Sequence, residues 1–184
     1  MHIDRHDGAV GLPNGIRIDP AVSQEQFRNG PASAFARSED YGTLPWIHYR
    51  LRGGEMDGKE LLVSLCFYDE MLVEVSMTVD LYPPGAKDWS SYSLAVEAET
   101  KRAHDHLLAE MFGDSSRADR LFSSGLAEPD ATLQRPLHWT FPWGLVSSVH
   151  DSKGGGTFIT VNYGNRKEEA NKAYFASRGP QRTR

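Results

Sequence analysis

Lys153 stands directly before three consecutive glycines, Gly154, Gly155 and Gly156, and a lysine beside a glycine run is the composition that cradles phosphate groups. A phosphate loop places its glycines first, then the lysine, then a helix whose free N–H groups converge on the anion. Here the order is reversed, and the next segment, TFITVNY, alternates apolar and polar residues as a strand does. The run before the glycines, from Trp139 to His150, alternates as well. Two alternating runs joined by DSKGGG predict a β-hairpin with a glycine tip, not an anion site. Gly144 inside the first run marks a bulge or bend beside Trp143.

Other groupings invite chemistry and do not supply its spacing. His104 and His106 flank Asp105, but metal-binding histidines on a helix are four apart, whereas these diverge by about 200° around it. They read as solvent-facing neighbours of the apolar stripe. His2 and His6 are four apart with Asp4 and Asp7 between and beside them, in a stretch that reads as an arm and offers adventitious metal binding at best. Cys66 sits in mid-strand between Leu65 and Phe67, without the cationic neighbour or helix N-terminus that makes a thiolate, and reads as a small buried apolar residue. No G-x-S-x-G, G-x-G-x-x-G or C-x-x-C motif is present. No catalytic residue, metal ligand or cofactor is therefore assigned. Five carboxylates carry the binding expectation instead. Glu74 and Asp80 fall on the polar face of an alternating strand, and Glu97, Glu99 and Glu110 fall on a helix, where they would attract a basic protein partner.

The elements that must position these residues are set by periodicity. Residues 1–14 are polar with Gly and Pro and read as a flexible arm. GIRID (15–19) makes a short strand, and SQEQF opens a helical turn with Ser23 as N-cap and Gln26 three positions on. The stretch from Asn29 to Gly42 reads as loop. WIHYRLR (46–52) alternates with Ile47, Tyr49 and Leu51 on one face, GGEMDG makes a turn after it, and ELLVSLCFY (60–68) gathers Leu61, Val63, Leu65 and Phe67. MLVEVSMTVDLY (71–82) sets Met71, Val73, Val75, Met77, Val79 and Leu81 against a mostly polar opposite face. One packed and one wet face is the pattern of an antiparallel sheet, and only Asp69 and Glu70 separate the last two runs, which predicts a tight hairpin. From Trp89 the period becomes three and four: Trp89, Tyr92, Val96, Ala103, Leu107 and Met111 recur until Gly113. That is one helix with Leu107 at the centre of its buried stripe. Residues 114–136 read as a long connection before the last two strands.

The expected fold is α+β: an antiparallel sheet of about five or six strands with one long helix packed on its apolar face. Its expected organisation is an arm over 1–14, a single domain over 15–164 and a mobile basic tail over 165–184. The chain carries a net charge of −5, and the residues from Arg166 onward contain six basic and two acidic side chains, so the preceding 165 residues hold −9. An acidic body disfavours nucleic acid, which is bound by neutralising phosphates. Cys66 is the only cysteine, so no intrachain disulfide forms and a reducing compartment is the simple reading. The first residues contain no apolar signal segment and no run is long enough for a membrane helix, so a cytoplasmic location is expected.

The order of parts resembles that of a loosely defined group of small bacterial α+β proteins, some encoded among polymorphic-toxin and immunity genes. The resemblance covers roughly residues 44–164, through ELLVSLCFYDEMLVEVSMTV, DWSSYSLAVEAETKRAHDHLL and WGLVSSVHDSKGGGTFITVNY. Its most specific piece is the Trp143-Gly144 step with Asp151 and Lys153 before the last strand. It implies a cytoplasmic bacterial protein that binds a toxin, and it transfers no catalytic residue. The leading expectation is thus a non-catalytic protein-binding domain without a cofactor, its oligomeric state left open. The alternative is a small-molecule-binding protein or hydrolase whose pocket is lined by Trp and His residues.

Overall fold

The computed structural model describes residues 1–36, 41–81, 92–114, 117–118 and 130–178. The alternating runs all enter one antiparallel sheet, but the run from Trp139 to His150, expected as one strand with a bend at Gly144, is two strands that fold back on each other at Pro142-Trp143. Strands β5 (Trp46–Met56), β6 (Lys59–Tyr68) and β7 (Met71–Val79) form one meander. Strands β9 (Leu137–Phe141), β10 (Gly144–Asp151) and β11 (Gly156–Tyr163) form another. Pairing of β7 with β11 joins the two. Short strands β4 (Tyr41–Thr43) and β8 (Arg117–Ala118) close the edges, giving the order β4-β5-β6-β7-β11-β10-β9-β8. The fold is α+β as expected, but the sheet exceeds five or six strands: seven strands have three or more residues, and β8 adds two residues at one edge. Edge strands this short contain too few residues to show an alternation.

Instead of one helix, four are present among the described residues: α1 (Gln24–Asn29), α2 (Leu94–Phe112), α3 (Asp130–Leu133) and α4 (Arg166–Ser177). A 3-10 helix spans Pro31–Phe35. The capping box of α1 forms as the sequence predicts, with Ser23 Oγ accepting the Gln26 N–H and the Gln26 side chain accepting the Ser23 N–H. Gly113 closes α2 with φ 81°, while Trp89 lies outside the described residues. Asp69 and Glu70 form the expected two-residue connection. Strand β5 runs through Gly53 to Met56 and turns only at Asp57-Gly58, both at positive φ, the backbone of a type I′ hairpin turn.

A bulge changes the faces of β7. Cys66 pairs with Glu74 but Phe67 pairs with Leu72, so Val73 is an extra residue. Leu72 thereby joins Val75 and Met77 in the main core, and Val73 turns to the opposite face with Cys66 and Ala170. Continuous alternation in the sequence conceals this reversal.

The core face of the sheet has two covers. Helix α2 lies over β7, β10 and β11. The N-terminal segment covers the rest: β1 (His2–Ile3), β2 (Val10–Gly11) and β3 (Arg17–Ile18) make a separate three-stranded sheet. Ile3, Val10, Leu12 and Ile18 enter the main core, and the Phe27 ring packs 4.7 Å from Tyr49 and 6.0 Å from Phe67, centroid to centroid. Residues 1–14 are therefore a packed cover and not an arm. The Trp143 ring rests on Gly8, where an added Cβ would meet ring carbons at 2.5 Å, and its indole N–H donates to the Arg5 carbonyl at 3.0 Å. The buried apolar residues of this segment are too sparse for a periodic signal, yet they are spent on the core.

The basic tail is likewise structured as far as Arg178. Helix α4 crosses the opposite, outer face of the sheet. Arg166 donates to the carbonyls of Pro20 and Leu72, Lys167 pairs with Glu74, and Ala170 packs on Cys66 and Val73. Residues 179–184 lie outside the described residues.

Candidate functional site

The glycine tip is a turn. Residues 152–155 connect the Asp151–Gly156 pair. The Asp151 carboxylate accepts the Lys153 N–H at 2.9 Å, and the backbone N–H groups of Gly154 and Lys153 hold its carboxyl below the usual range. Each glycine has its own reason. A Cβ on Gly154 would fall 2.5 Å from the Asp151 carboxylate, Gly155 has φ 65°, and a Cβ on Gly156 would meet the Phe158 ring at 2.6 Å. No helix comes next to complete an anion site, because β11 begins at once. Lys153 is exposed. Lys153→Ala is expected to change the unfolding free energy by less than about 0.5 kcal/mol in urea titration, as for most surface substitutions.

Helix α2 presents a different face from the one its apolar residues predict. Glu97, Ala98, Thr100, Lys101, His104 and Leu108 are buried, whereas Ala103 is exposed and Leu107 and Met111 only border the core. His104 is thus an interior residue and not a solvent-facing one. A polar layer lies between α2 and the sheet. Lys101 is fully buried with its ammonium 2.6 Å from Asp105, and burial drives its pKa down against the pull of that carboxylate. The Thr157 hydroxyl donates to the Glu97 carbonyl at 3.3 Å. His104 Nε2 accepts the Val79 N–H at 3.2 Å, which fixes the ring as neutral with its proton on Nδ1. Burial, and then the Lys101 charge, push the His104 pKa down to about 4. His104 Nδ1 and Ser148 Oγ are buried without a hydrogen-bond partner.

The His104 bond marks a break in the sheet. Pairing between β7 and β11 stops at Met77/Ile159, although β7 runs on to Val79 and β11 starts at Gly156. Where a strand partner would have accepted the Val79 N–H, the imidazole does so. Two shallow depressions lie at this opening and on the outer face beside it. One, of about 220 Å³, is lined by Arg50, Leu62, Ser64, Ser76, Thr78 and Phe158 among others. The second, of about 150 Å³, shares Leu62, Thr78 and Phe158 and adds Asp80, Glu97, Thr100 and Thr157. Among the described residues, no Trp or His side chain lines either one. The described tryptophans lie on two faces: Trp139 and Trp143 belong to the core-side cluster and Trp46 to the outer face, and Trp89 is outside the described residues.

The five carboxylates of the sequence analysis are dispersed. Glu74 is half-buried on the outer face and paired with Lys167. Asp80 and Glu97 both line the smaller depression, and Glu97 is only 5% exposed. Glu99 and Glu110 are exposed on the solvent side of α2, with Glu110 3.3 Å from His106 and Arg102 exposed on the same helix. A surface of mixed sign results, because the stripe that buries α2 includes Glu97 and leaves basic residues outside.

The outer face ends in an aromatic cluster that periodicity does not show. Trp46 pairs with Tyr68 across the strands at 4.9 Å, Tyr174 of α4 packs 6.4 Å from Trp46, and Phe175 lies 5.6 Å from Tyr174. Arg178 sits 4.5 Å over the Tyr174 ring. Leu44 and Phe175 remain 77% and 64% exposed, and Met71, paired with Tyr68, is also exposed. Local sequence places these residues on separate elements, so only the helix crossing unites them.

Cys66 is buried as expected. Its thiol, 3.8 Å from His48 Nε2, is pushed up to about 12 by burial and by Glu74, so it rests protonated and unreactive. Near the N-terminus, Asp4 accepts the His6 N–H and Asp7 pairs with Arg17 at 2.9 Å, so these groups serve the small sheet. Among the described residues, no cluster of three His, Cys, Asp or Glu side chains is placed to hold a metal, and no helix is long and apolar enough to cross a membrane.

These features define an α+β domain with a large antiparallel sheet, one face doubly covered and the other crossed by helix α4 and, among the described residues, indented by a shallow cleft. Comparison with family models, curated proteins and solved structures finds no match to the chain.

Proposed function

We propose that this protein acts by binding another protein, through the aromatic end of its outer sheet face. The observation that carries the reading is the exposure of Leu44 and Phe175 around Trp46, Tyr68 and Tyr174. Aromatic residues, Met and Arg concentrate at the cores of protein interfaces, where a few of them supply most of the binding energy. Leaving such side chains in water costs solubility unless a partner covers them. The partner is basic: the chain as a whole carries a net charge of −5, and Glu99 and Glu110, exposed on α2, supply long-range attraction. Among partner classes, a bacterial toxin is the one implied by the resemblance to proteins encoded with immunity genes.

The test is to crosslink and purify the partner from host cells, then measure binding of purified proteins. Leu44→Asp with Phe175→Asp is expected to weaken binding at least about thirtyfold, the loss typical of interface hot spots. Glu99→Lys with Glu110→Lys slows association and flattens its salt dependence while leaving dissociation nearly unchanged. Glu97 is unsuitable for this experiment because reversing a buried carboxylate perturbs folding. Wild-type affinity in the Leu44/Phe175 variant rejects the aromatic surface as the binding site. An acidic partner rejects the electrostatic part.

A further inference from the structure

We propose that the pocket formed by residues 14–35 binds an uncharged, apolar small molecule of two-ring size. It lies between β3 on one side and α1 with the 3-10 helix on the other, and it shares no lining residue with the aromatic end.

The pocket has a volume of about 330 Å³, within the range of small-molecule sites. Its apolar lining comes from Ile16, Ile18, Val22, Phe27, Ala32 and Phe35. Ile18 and Phe27 belong to the buried core and make the floor, whereas Ile16, Val22 and Ala32 are half-buried and Phe35 is 39% exposed. One continuous stretch of chain, described throughout, thus supplies the whole lining.

The chemistry of the ligand follows from the polar side chains of the pocket, which serve the protein itself. Arg17 pairs with Asp7 at 2.9 Å. The Asp19 carboxylate accepts the Ala21 N–H at 2.8 Å. Asn14 donates to the Arg52 carbonyl and accepts the Ile16 N–H. The Gln26 amide oxygen accepts the Ser23 N–H in the capping box. A charge brought into the pocket would lose its water and meet no counter-charge, which costs far more than burial of the same shape without a charge gains. An apolar ring system loses nothing there and covers apolar surface.

The walls are tied to the sheet separately, so the pocket is held open. The Phe27 ring packs on Tyr49 and Phe67 and is not free to turn into the space. Helix α1 is anchored by Gln24, whose N–H donates to the Glu70 carbonyl and whose side chain donates to the Tyr49 hydroxyl. The 3-10 helix leads directly into the Ala36 bridge to Leu51. Gly30 joins the two helices at a close approach where an added Cβ would lie 2.8 Å from the Gln26 carbonyl oxygen. An apolar cavity of about 150 Å³ takes one benzene ring, so the volume of about 330 Å³ takes two.

The experiment titrates the full chain with 1-methylnaphthalene, followed by equilibrium dialysis and amide chemical shifts. Its control is N-methylquinolinium, a cation of the same shape. Expected is saturable binding of 1-methylnaphthalene with Kd of about 0.1 mM or tighter, and binding of the cation at least about tenfold weaker. Shift changes in the wild-type protein centre on Ile16, Val22 and Ala32. Ala32→Trp, which places a ring in the pocket, weakens binding at least about tenfold. Phe35→Ala also weakens it and, because Phe35 is exposed, leaves the melting temperature nearly unchanged. Absence of saturation, equal affinity for the two probes, or shifts centred outside residues 14–35 overturns the proposal on the wild-type protein alone. Leu44→Asp with Phe175→Asp leaves this binding intact, so failure at one surface is distinguishable from failure at the other.

Discussion

Leu108→Ala lowers the unfolding free energy by about 3–5 kcal/mol, and Leu107→Ala costs less than half as much. Leu108 has no exposed surface and belongs to the main core with Val75, Met77, Val146 and Ile159. Truncation removes the transfer energy of the buried methyl groups and leaves a cavity, because sheet and helix are held by many other contacts and collapse only in part. Leu107, one position earlier, is rotated by about 100° toward solvent and only borders the core. The measurement is urea unfolding of both variants beside wild type. For a chain of this size each kcal/mol shifts the melting temperature by about 2–4 °C, so Leu108→Ala melts roughly 10 °C lower. Equal costs for the two substitutions would show that the face of α2 is assigned wrongly.

Acidification from about pH 6.5 to about pH 4 removes about 3 kcal/mol of stability through His104 alone. The folded imidazole accepts the Val79 N–H, and its pKa is lowered from 6.5 to about 4 by burial and by the Lys101 charge. Between those two values the unfolded chain takes up a proton that the folded chain refuses, so stability falls as pH falls. Above about 6.5 both states are neutral at this position and the effect is absent. Below about 4 both are protonated and the loss stops growing. His48, whose pKa is also lowered by burial, acts in the same sense, as does protonation of ion-paired carboxylates. The control is therefore His104→Gln, whose amide oxygen can accept the Val79 N–H but does not titrate. The stability difference between wild type and this variant should shift by about 3 kcal/mol from about pH 7 to about pH 4. A pH-independent difference would mean that His104 is accessible to protons in the folded state.

The long strands β5, β6, β7 and β11 were legible because alternation over a full strand reports burial directly, whereas the turn that divides β9 from β10 interrupts no alternation and was not. Leu61, Val63, Leu65 and Phe67 share the core face, as do Ile159, Val161 and Tyr163. The glycine tip was legible too, because the order of lysine and glycines and the strand after them exclude a helix N-terminus. Helix α2 was legible in its C-terminal stop but not in orientation. Its apolar stripe through Ala103 and Leu107 is weak, and the sheet accepts a more polar face because Lys101 finds Asp105, His104 finds the Val79 backbone and the Glu97 carbonyl finds Thr157. The five carboxylates were legible as charges but not as a surface: the rotation of α2 separates Glu97 from Glu99 and places it with Asp80.

By itself the sequence determined what depends on neighbours within one element: the faces of β5, β6 and β11, the capping box at Ser23, the stop at Gly113 and the neutral, buried character of Cys66. Tertiary structure alone decided what depends on residues far apart in the chain. It placed Ile3 and Val10 in the core, shifted β7 by the bulge at Val73, and opened the ladder beside His104. It also brought Leu44, Trp46 and Phe175 to one end of the sheet. The physical reason is that periodicity records the average preference of a face for water. A bulge, a helix rotation or a covering segment is chosen by the fit of specific partners, and those partners are adjacent only once the chain has folded.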